Sequence, residues 1–304
     1  MSRCVHIKAP AKINAALSVG PPGADGMHPI CSWMITVGLY DEMELTSLED
    51  GHLSRYAILW HEEARQRADI DWPVTSDLAV RAHQALEQHV QRPLPVQMKL
   101  EKRIPLGSGL GGGSSDAAAM LRGADALFEL GLSNQVLEKL AASLGSDVPF
   151  LVQGGSGIVE GTGERIEHME AMPHLEAVLV LSGLACDTGQ VYGGLDAAGP
   201  TAVDAGAVRA LASDEIDGDR LFNDLATPAL IVAPDLKQHR ETIAALVQAP
   251  VHVSGSGSTL FVICRNSLES EAMAQAIESK TGLAAVPVSA AAREAGMVVT
   301  SPAS

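Results

Sequence analysis

The stretch Pro105-Leu-Gly-Ser-Gly-Leu-Gly-Gly-Gly-Ser-Ser-Asp116 constrains this chain more than any other. Five of its twelve residues are glycine. The backbone there can adopt left-handed conformations and approach a ligand with no Cβ in between. On its N-terminal side, Val96 to Glu101 alternates Val96, Met98 and Leu100 with Gln97, Lys99 and Glu101, which predicts a half-buried strand. On its C-terminal side, an alanine-rich helix is predicted over 114–130, with Ser114 or Ser115 as its N-cap. A glycine turn between a strand and a helix start presents free N–H groups and about half a positive charge to whatever lies in front of it. The stretch therefore reads as an anion site suited to a polyphosphate.

Three readings of the loop compete. A flexible linker is disfavoured by the regular structure predicted on both sides. Gly107-x-Gly109-x-x-Gly112 matches the dinucleotide fingerprint G-x-G-x-x-G. That fingerprint belongs in a leading βαβ unit with an acidic residue after the next strand, whereas Glu129 lies near a helix end. Gly107 and Gly112 also have the Walker spacing, but Gly113-Ser114 stands where Lys-Ser or Lys-Thr is required. A triphosphate loop of a non-Walker kind is the reading that fits.

Charge makes such a loop necessary. The 304 residues carry 21 basic and 37 acidic side chains, a net charge of −16. Nucleic acid and anionic membrane are repelled, so neither is an expected partner. An anionic substrate must then be held by a helix N-terminus, a few basic side chains or a metal ion. No run of 18 apolar residues occurs and the first residues lack an apolar signal core, so a cytoplasmic location is expected. Cys4, Cys31, Cys186 and Cys264 are scattered without a C-x-x-C, which argues against a thiolate zinc motif or a disulfide framework. His61, Glu62 and Glu63 lack the H-E-x-x-H spacing and read as a solvated face.

Further strands are predicted at 5–19, 33–46, 175–181, 251–253, 259–264 and 283–288. Helices are predicted at 77–90 with Ser76 as N-cap, at 133–144 between Ser133 and Gly145, and at 268–281. The acidic segment 201–219 reads as a surface helix and loop. Strands and helices alternate without a regular βαβ beat, which predicts an α+β fold, with a boundary near Met172-Pro173.

The loop resembles the phosphate loop of the GHMP kinases, the superfamily of galactokinase, homoserine kinase and mevalonate kinase. Ala9-Pro-Ala-Lys12-Ile-Asn14 and Val253-Ser-Gly255-Ser-Gly257-Ser-Thr259-Leu-Phe261 resemble the N-terminal and C-terminal motifs of that superfamily, in order. Asp25-Gly-Met27-His28, Leu144-Gly-Ser-Asp147-Val-Pro-Phe150, Gly161-Thr-Gly163-Glu164 and Phe222-Asn223-Asp224-Leu225 narrow the resemblance. They point to the branch that phosphorylates 4-diphosphocytidyl-2-C-methyl-D-erythritol in the non-mevalonate isoprenoid route. The resemblance implies an N-terminal ribosomal-protein-S5-like α/β domain over 1–172 and a C-terminal ferredoxin-like α+β domain over 173–304. It also implies ATP with Mg²⁺, a small-molecule substrate, and a monomer or homodimer.

Site residues follow from the same match. Asp147 is the expected proton acceptor and Lys12 its cationic partner. A lysine in an otherwise apolar strand is rarely left unpaired, which favours that pairing on physical grounds as well. The nucleotide is assigned to Pro105, Gly107, Gly109, Leu110, Gly111, Gly112, Gly113, Ser114 and Ser115. Asp77 joins them, where the family has an adenine-associated asparagine. The acceptor is assigned to Asn14, Met27, His28, Thr188, Tyr192, Asn223, Gly255 and Ser256. Met27 replaces the family's tyrosine, which leaves Tyr192 as the ring available to stack on a base. No motif fixes the Mg²⁺ ligands. Another GHMP kinase with a mevalonate-like or sugar acceptor, and a non-catalytic nucleotide-binding paralogue, remain open at this point.

Overall fold

Two long strands dominate the start of the chain, β1 (Arg3–Val19) and β2 (Ile30–Ser47), paired antiparallel from Cys4↔Thr46 to Val19↔Ile30. The computed structural model describes residues 3–199, 201–293 and 298–302. Next come β3 (Arg55–Trp60), α1 (Leu78–Val90), β4 (Val96–Lys102), α2 (Gly112–Leu127), α3 (Asn134–Ala142) and α4 (Val148–Gln153). They are followed by β5 (Ser156–Gly161), β6 (Arg165–His168), β7 (Glu176–Leu181), α5 (Thr188–Ala198), α6 (Ala205–Ser213) and β8 (Phe222–Asn223). The chain continues with α7 (Ala226–Val232), α8 (Pro234–Val247), β9 (His252–Val253), β10 (Leu260–Cys264), α9 (Ser267–Thr281), β11 (Ala284–Ser289) and β12 (Val299–Pro302).

The strands form two sheets. The first runs β12-β1-β2-β4-β3, with β5 and β6 continuing from β2 and the short β8 beside β1. The second is a four-stranded antiparallel sheet, β11-β7-β10-β9. All strands of the second sheet lie beyond residue 172, while β8 and β12 return from that half of the chain to pair with β1.

Three apolar clusters separate four layers. Ile7, Met43 and Leu100 of the first sheet meet Ala117, Leu121 and Ala124 of α2. On the opposite face, Ile13, Trp33 and Ile35 meet Leu179 and Phe261 of the second sheet. The far face of that sheet, with Val178 and Val262, is covered by α8 and α9 through Leu236, Ile243 and Ile277. The inner half of β1 is therefore buried on both sides, which explains its long run of small and apolar residues. The α+β reading holds.

Two helix starts differ from expectation. α1 is capped by Asp77, whose Oδ1 accepts the Ala79 N–H at 2.9 Å, and Ser76 is displaced to the preceding turn. α2 begins at Gly112 behind a left-handed Gly111 (φ 70°), so Ser114 and Ser115 sit inside its first turns and neither caps it. A glycine that can take positive φ lets the helix start earlier than any serine cap would. Its N-terminal N–H groups have no side-chain cap.

Candidate active site

Lys12 and Asn14 alternate along β1 with Ala11, Ile13 and Ala15, which belong to the core between the sheets. Their side chains accordingly face the glycine loop. Lys12 is 4 % exposed, so its ammonium requires partners. Lys12 Nζ donates to Asn14 Oδ1 at 2.7 Å and lies 3.2 Å from Asp147 Oδ2. Asn14 Nδ2 donates to Ser32 Oγ at 2.8 Å, and Ser32 Oγ donates to the Ala16 carbonyl at 2.9 Å. This relay fixes the amide so that its oxygen faces the lysine.

Asp147 occupies the position that would cap α4, yet its side chain makes no capping hydrogen bond. The carboxylate is free to turn to Lys12. It is 23 % exposed at the side chain, so a reacting hydroxyl can reach it.

The glycine loop is held from two directions. The Lys12 N–H donates to the Leu110 carbonyl at 2.9 Å, tying the loop to β1. The C-terminal glycine segment closes over it, with Ser254 Oγ donating to the Gly109 carbonyl at 3.0 Å and the Thr259 N–H donating to the Ser108 carbonyl at 3.0 Å. The approach is backbone to backbone: a Cβ on Gly109 (φ 77°) would lie 2.2 Å from the Ser254 carbonyl oxygen. One on Gly111 would lie 3.0 Å from Lys12 Cγ. Uncapped helix N–H groups and a cradle without side chains fit a polyphosphate.

Beneath the loop, a buried triad anchors its entry strand. Lys102 Nζ lies 2.6 Å from Asp41 Oδ2 and 2.5 Å from Asp116 Oδ2. Burial alone would favour the neutral amine, but the two carboxylates outweigh it and hold Lys102 above its ordinary pKa. Asp41 Oδ1 also accepts the Ile104 N–H at 2.8 Å, fixing the backbone just before Pro105.

Two adjoining cavities meet at Ser146, Thr188 and Tyr192. One, of about 270 Å³, is lined by Lys12, Asn14, Asp147, Gly109, Gly111 and Gly255. The other, of about 500 Å³, is lined by Met27, His28, Thr162, Gly189, Tyr192 and Asp196. His28 Nδ1 is 2.9 Å from the Gly20 carbonyl, so it carries the proton, and Nε2 is 3.6 Å from Asp196 Oδ2. The His28 and Tyr192 rings lie 4.9 Å apart, tilted by 48°. Burial, with the Asp147 charge in support, pushes the Tyr192 phenol up to about 12, so it stays a hydroxyl donor at neutral pH. Thr188 Oγ1 and Ser256 Oγ are 3.0 Å apart, bridging α5 to the C-terminal glycine segment.

The site residues read from the sequence thus gather around one place, with distinctions. Lys12, Asn14, Asp147, Gly107, Gly109, Gly111, Thr188, Tyr192, Gly255 and Ser256 line the first cavity; Met27 and His28 line the second. Leu110 is fully buried in the core between the sheets, so only its backbone serves the loop. Asn223 donates to the carbonyls of Val253 (2.8 Å) and Gly255 (2.7 Å), so it shapes the glycine segment. Asp77 caps α1 and accepts from Trp72 Nε1 at 3.3 Å. Pro105, Gly112, Gly113, Ser114 and Ser115 belong to the loop and first turns of α2 behind the cavity. Ser115 Oγ is buried with no hydrogen-bond partner.

Sequence reasoning passed over Asp41, Lys102 and Asp116 as a triad, and Ser32 and Asp196 as supports. The signal for the first was strand parity. Asp41 shares the inward parity of Met43 and Leu45, and Lys102 that of Met98 and Leu100. Two opposite charges on inward positions of adjacent strands have to pair.

Residues 77–155 match the family model of the GHMP kinases N terminal domain. A 4-diphosphocytidyl-2-C-methyl-D-erythritol kinase of Pseudarthrobacter chlorophenolicus is 34 % identical, over 94 % of this chain and 92 % of its own length. A crystal structure of 4-(cytidine 5'-diphospho)-2C-methyl-D-erythritol kinase superposes with a TM-score of 0.74 at 31 % identity, covering 93 % of this chain and 98 % of that one. A homoserine kinase from Cytophaga hutchinsonii, 15 % identical, shares the fold with a TM-score of 0.70 over 97 % of both chains.

Proposed function

Because the chain belongs to the 4-diphosphocytidyl-2-C-methyl-D-erythritol kinase family of the GHMP kinases, we propose that it transfers the γ-phosphoryl of ATP to a hydroxyl of that cytidyl alcohol. The step belongs to the non-mevalonate supply of isoprenoid precursors. The observation that carries the reading is the chain Asp147, Lys12, Asn14 at the junction of a glycine cradle and a base-sized pocket.

The acceptor hydroxyl sits against Asp147, which accepts its proton as the new O–P bond forms and the bridging bond to ADP breaks. Lys12, fixed by Asn14, stands beside the carboxylate and stabilises charge developing on the transferred group. The N–H groups of the loop and the start of α2 bind the phosphates. The cytidyl base enters the larger cavity, against the wall formed by the paired Tyr192 and His28 rings. Mg²⁺ bound with the nucleotide would supply countercharge to the phosphates. The Ser115 hydroxyl, buried without a hydrogen-bond partner in the first turns of α2, would be the side chain to hold it. The same reading takes 1–172 as the nucleotide-binding and catalytic domain and 173–304 as the second domain. It also places the enzyme in the cytoplasm; no helix among the described residues is long and apolar enough to cross a membrane.

The test is ADP release from ATP and Mg²⁺ with the cytidyl alcohol, mevalonate, homoserine and a free sugar in parallel. Turnover is expected with the cytidyl alcohol alone. Turnover of another alcohol in its place overturns the acceptor and keeps the kinase, and no turnover with any alcohol overturns both.

A further inference from the structure

Far from the catalytic residues, the solvent face of the first sheet brings together three side chains whose sequence spacing suggests no motif. Cys4 and His6 are two residues apart on β1, so they point to the same face. Glu44 lies directly opposite His6 on β2. Cys4 Sγ is 3.6 Å from His6 Nε2, and His6 Nδ1 is 3.8 Å from Glu44 Oε2. One ligand atom from each residue falls within 4.8 Å of the others, and this is the one such group among the described residues. We propose that Cys4, His6 and Glu44 form a surface site for a borderline transition-metal cation, Zn²⁺ being the expected occupant.

The donor set decides the class of ion. A thiolate and an imidazole discriminate against Mg²⁺ and Ca²⁺, which require oxygen ligands. Zinc accepts sulfur, nitrogen and carboxylate oxygen together, at about 2.3, 2.0 and 2.1 Å in tetrahedral sites. Those bond lengths put neighbouring ligands roughly 3.3–3.8 Å apart in a tetrahedron; one ion takes a single His6 nitrogen, and one ligand atom from each residue already lies within 4.8 Å of the others. Small side-chain rotations suffice, because the paired strands hold the three Cα positions. Binding converts the Cys4 thiol to a thiolate bound to zinc and releases its proton to solvent. The fourth position is left to water.

Neighbouring cations do not pre-empt the site. Lys99, opposite Glu44 on β4, feels the Glu44 charge but is hydrogen-bonded to Glu101 at 2.8 Å, and Lys8 lies over the Tyr40 ring. The net charge of −16 favours cation approach. The other three cysteines are buried and cannot compete. His6 is six residues from Lys12, or about 20 Å along an extended strand. The site therefore acts as a clip between β1 and β2 and takes no part in phosphoryl transfer.

The experiment uses untagged, chelator-stripped protein and Zn²⁺ alone, titrated in competition with a chromogenic chelator. One zinc per chain is expected, with Cys4→Ser and His6→Ala each weakening it at least tenfold. Co²⁺ should give a thiolate charge-transfer band in the near ultraviolet that Cys4→Ser abolishes. Both variants should retain the wild-type circular dichroism spectrum and melting temperature without metal, so a loss of binding is not a loss of fold. Absence of stoichiometric binding overturns the proposal, as does zinc binding that survives either substitution.

Discussion

The two adjoining cavities are built by different means. The phosphate side is made of backbone: Gly109 and Gly111 at positive φ, the uncapped start of α2, and a glycine segment lying on the loop. The acceptor side is made of side chains, Met27, His28, Tyr192 and Asp196, carried on a turn and on α5. In the proposed function, backbone would read what every nucleoside triphosphate shares, while side chains would read what distinguishes one alcohol from another. The first side is therefore intolerant of added atoms, and the second is open to retuning by exchange of rings and charges. Met27 illustrates the latitude: it is 52 % exposed and contributes a flexible thioether to the cavity wall.

Four substitutions test this contrast. The largest effect is expected at the seam, where Asp147→Asn should lower kcat by about 10² to 10⁴ while leaving ATP affinity in place. Near wild-type kcat in that variant would reduce Asp147 to a turn residue. Tyr192→Ala should raise the KM of the cytidyl substrate by the equivalent of about 1–3 kcal/mol, the range for removing a ring from a stacked base. The ATP KM should stay within error, and an equal rise in both constants would dissolve the separation between the two sides.

A smaller effect is expected on the opposite side. Gly111→Ala places a side chain at φ 70° against Lys12, and the left-handed conformation costs roughly 1–2 kcal/mol for a non-glycine residue. The loop can relieve this by rotating its N–H groups away from the phosphates, so ATP binding should weaken by about tenfold. Calorimetry should find the melting temperature much less affected; a collapse in melting temperature would mean that the loop serves packing first. The smallest effect belongs to Met27→Tyr, which adds a second stacking face and should tighten the cytidyl substrate a few-fold with ATP unchanged. Isothermal titration with each ligand in turn separates the two sides.

The same division governs how much the sequence disclosed. Backbone chemistry is written in glycine positions and strand patterns, so the loop, β1, β2 and the strand before the loop were legible. The pairing of Lys12 with Asp147 was also legible, because a lysine in a buried strand demands a carboxylate. α4 escaped notice because it has only six residues, too few for a helical period. α5 was hidden by Gly189, Gly193 and Gly194, which lower helix propensity although the fold makes them helical. Tyr192 and Thr188 could be placed at the site by resemblance alone. Asp196 was invisible, since its role depends on His28 arriving from a turn 168 positions earlier, a contact no local pattern encodes. The misplaced cap of α2 has the opposite origin: the local rule favoured serine, and a glycine with access to positive φ overrode it.

The contact between Gly109 and Ser254 bears on how such a chain can change over generations. The two segments lie 145 positions apart in the chain, yet Ser254 Oγ donates to the Gly109 carbonyl and the Ser254 main-chain carbonyl leaves no room at Gly109 even for a methyl group. Side-chain contacts drift by compensating exchanges, a larger residue here for a smaller one there. A contact made of main chain offers no such exchange, because any residue at 109 other than glycine meets the same carbonyl. Change is therefore tolerated less in the cradle than in the adjoining cavity, where side chains such as Met27 and Tyr192 form the wall.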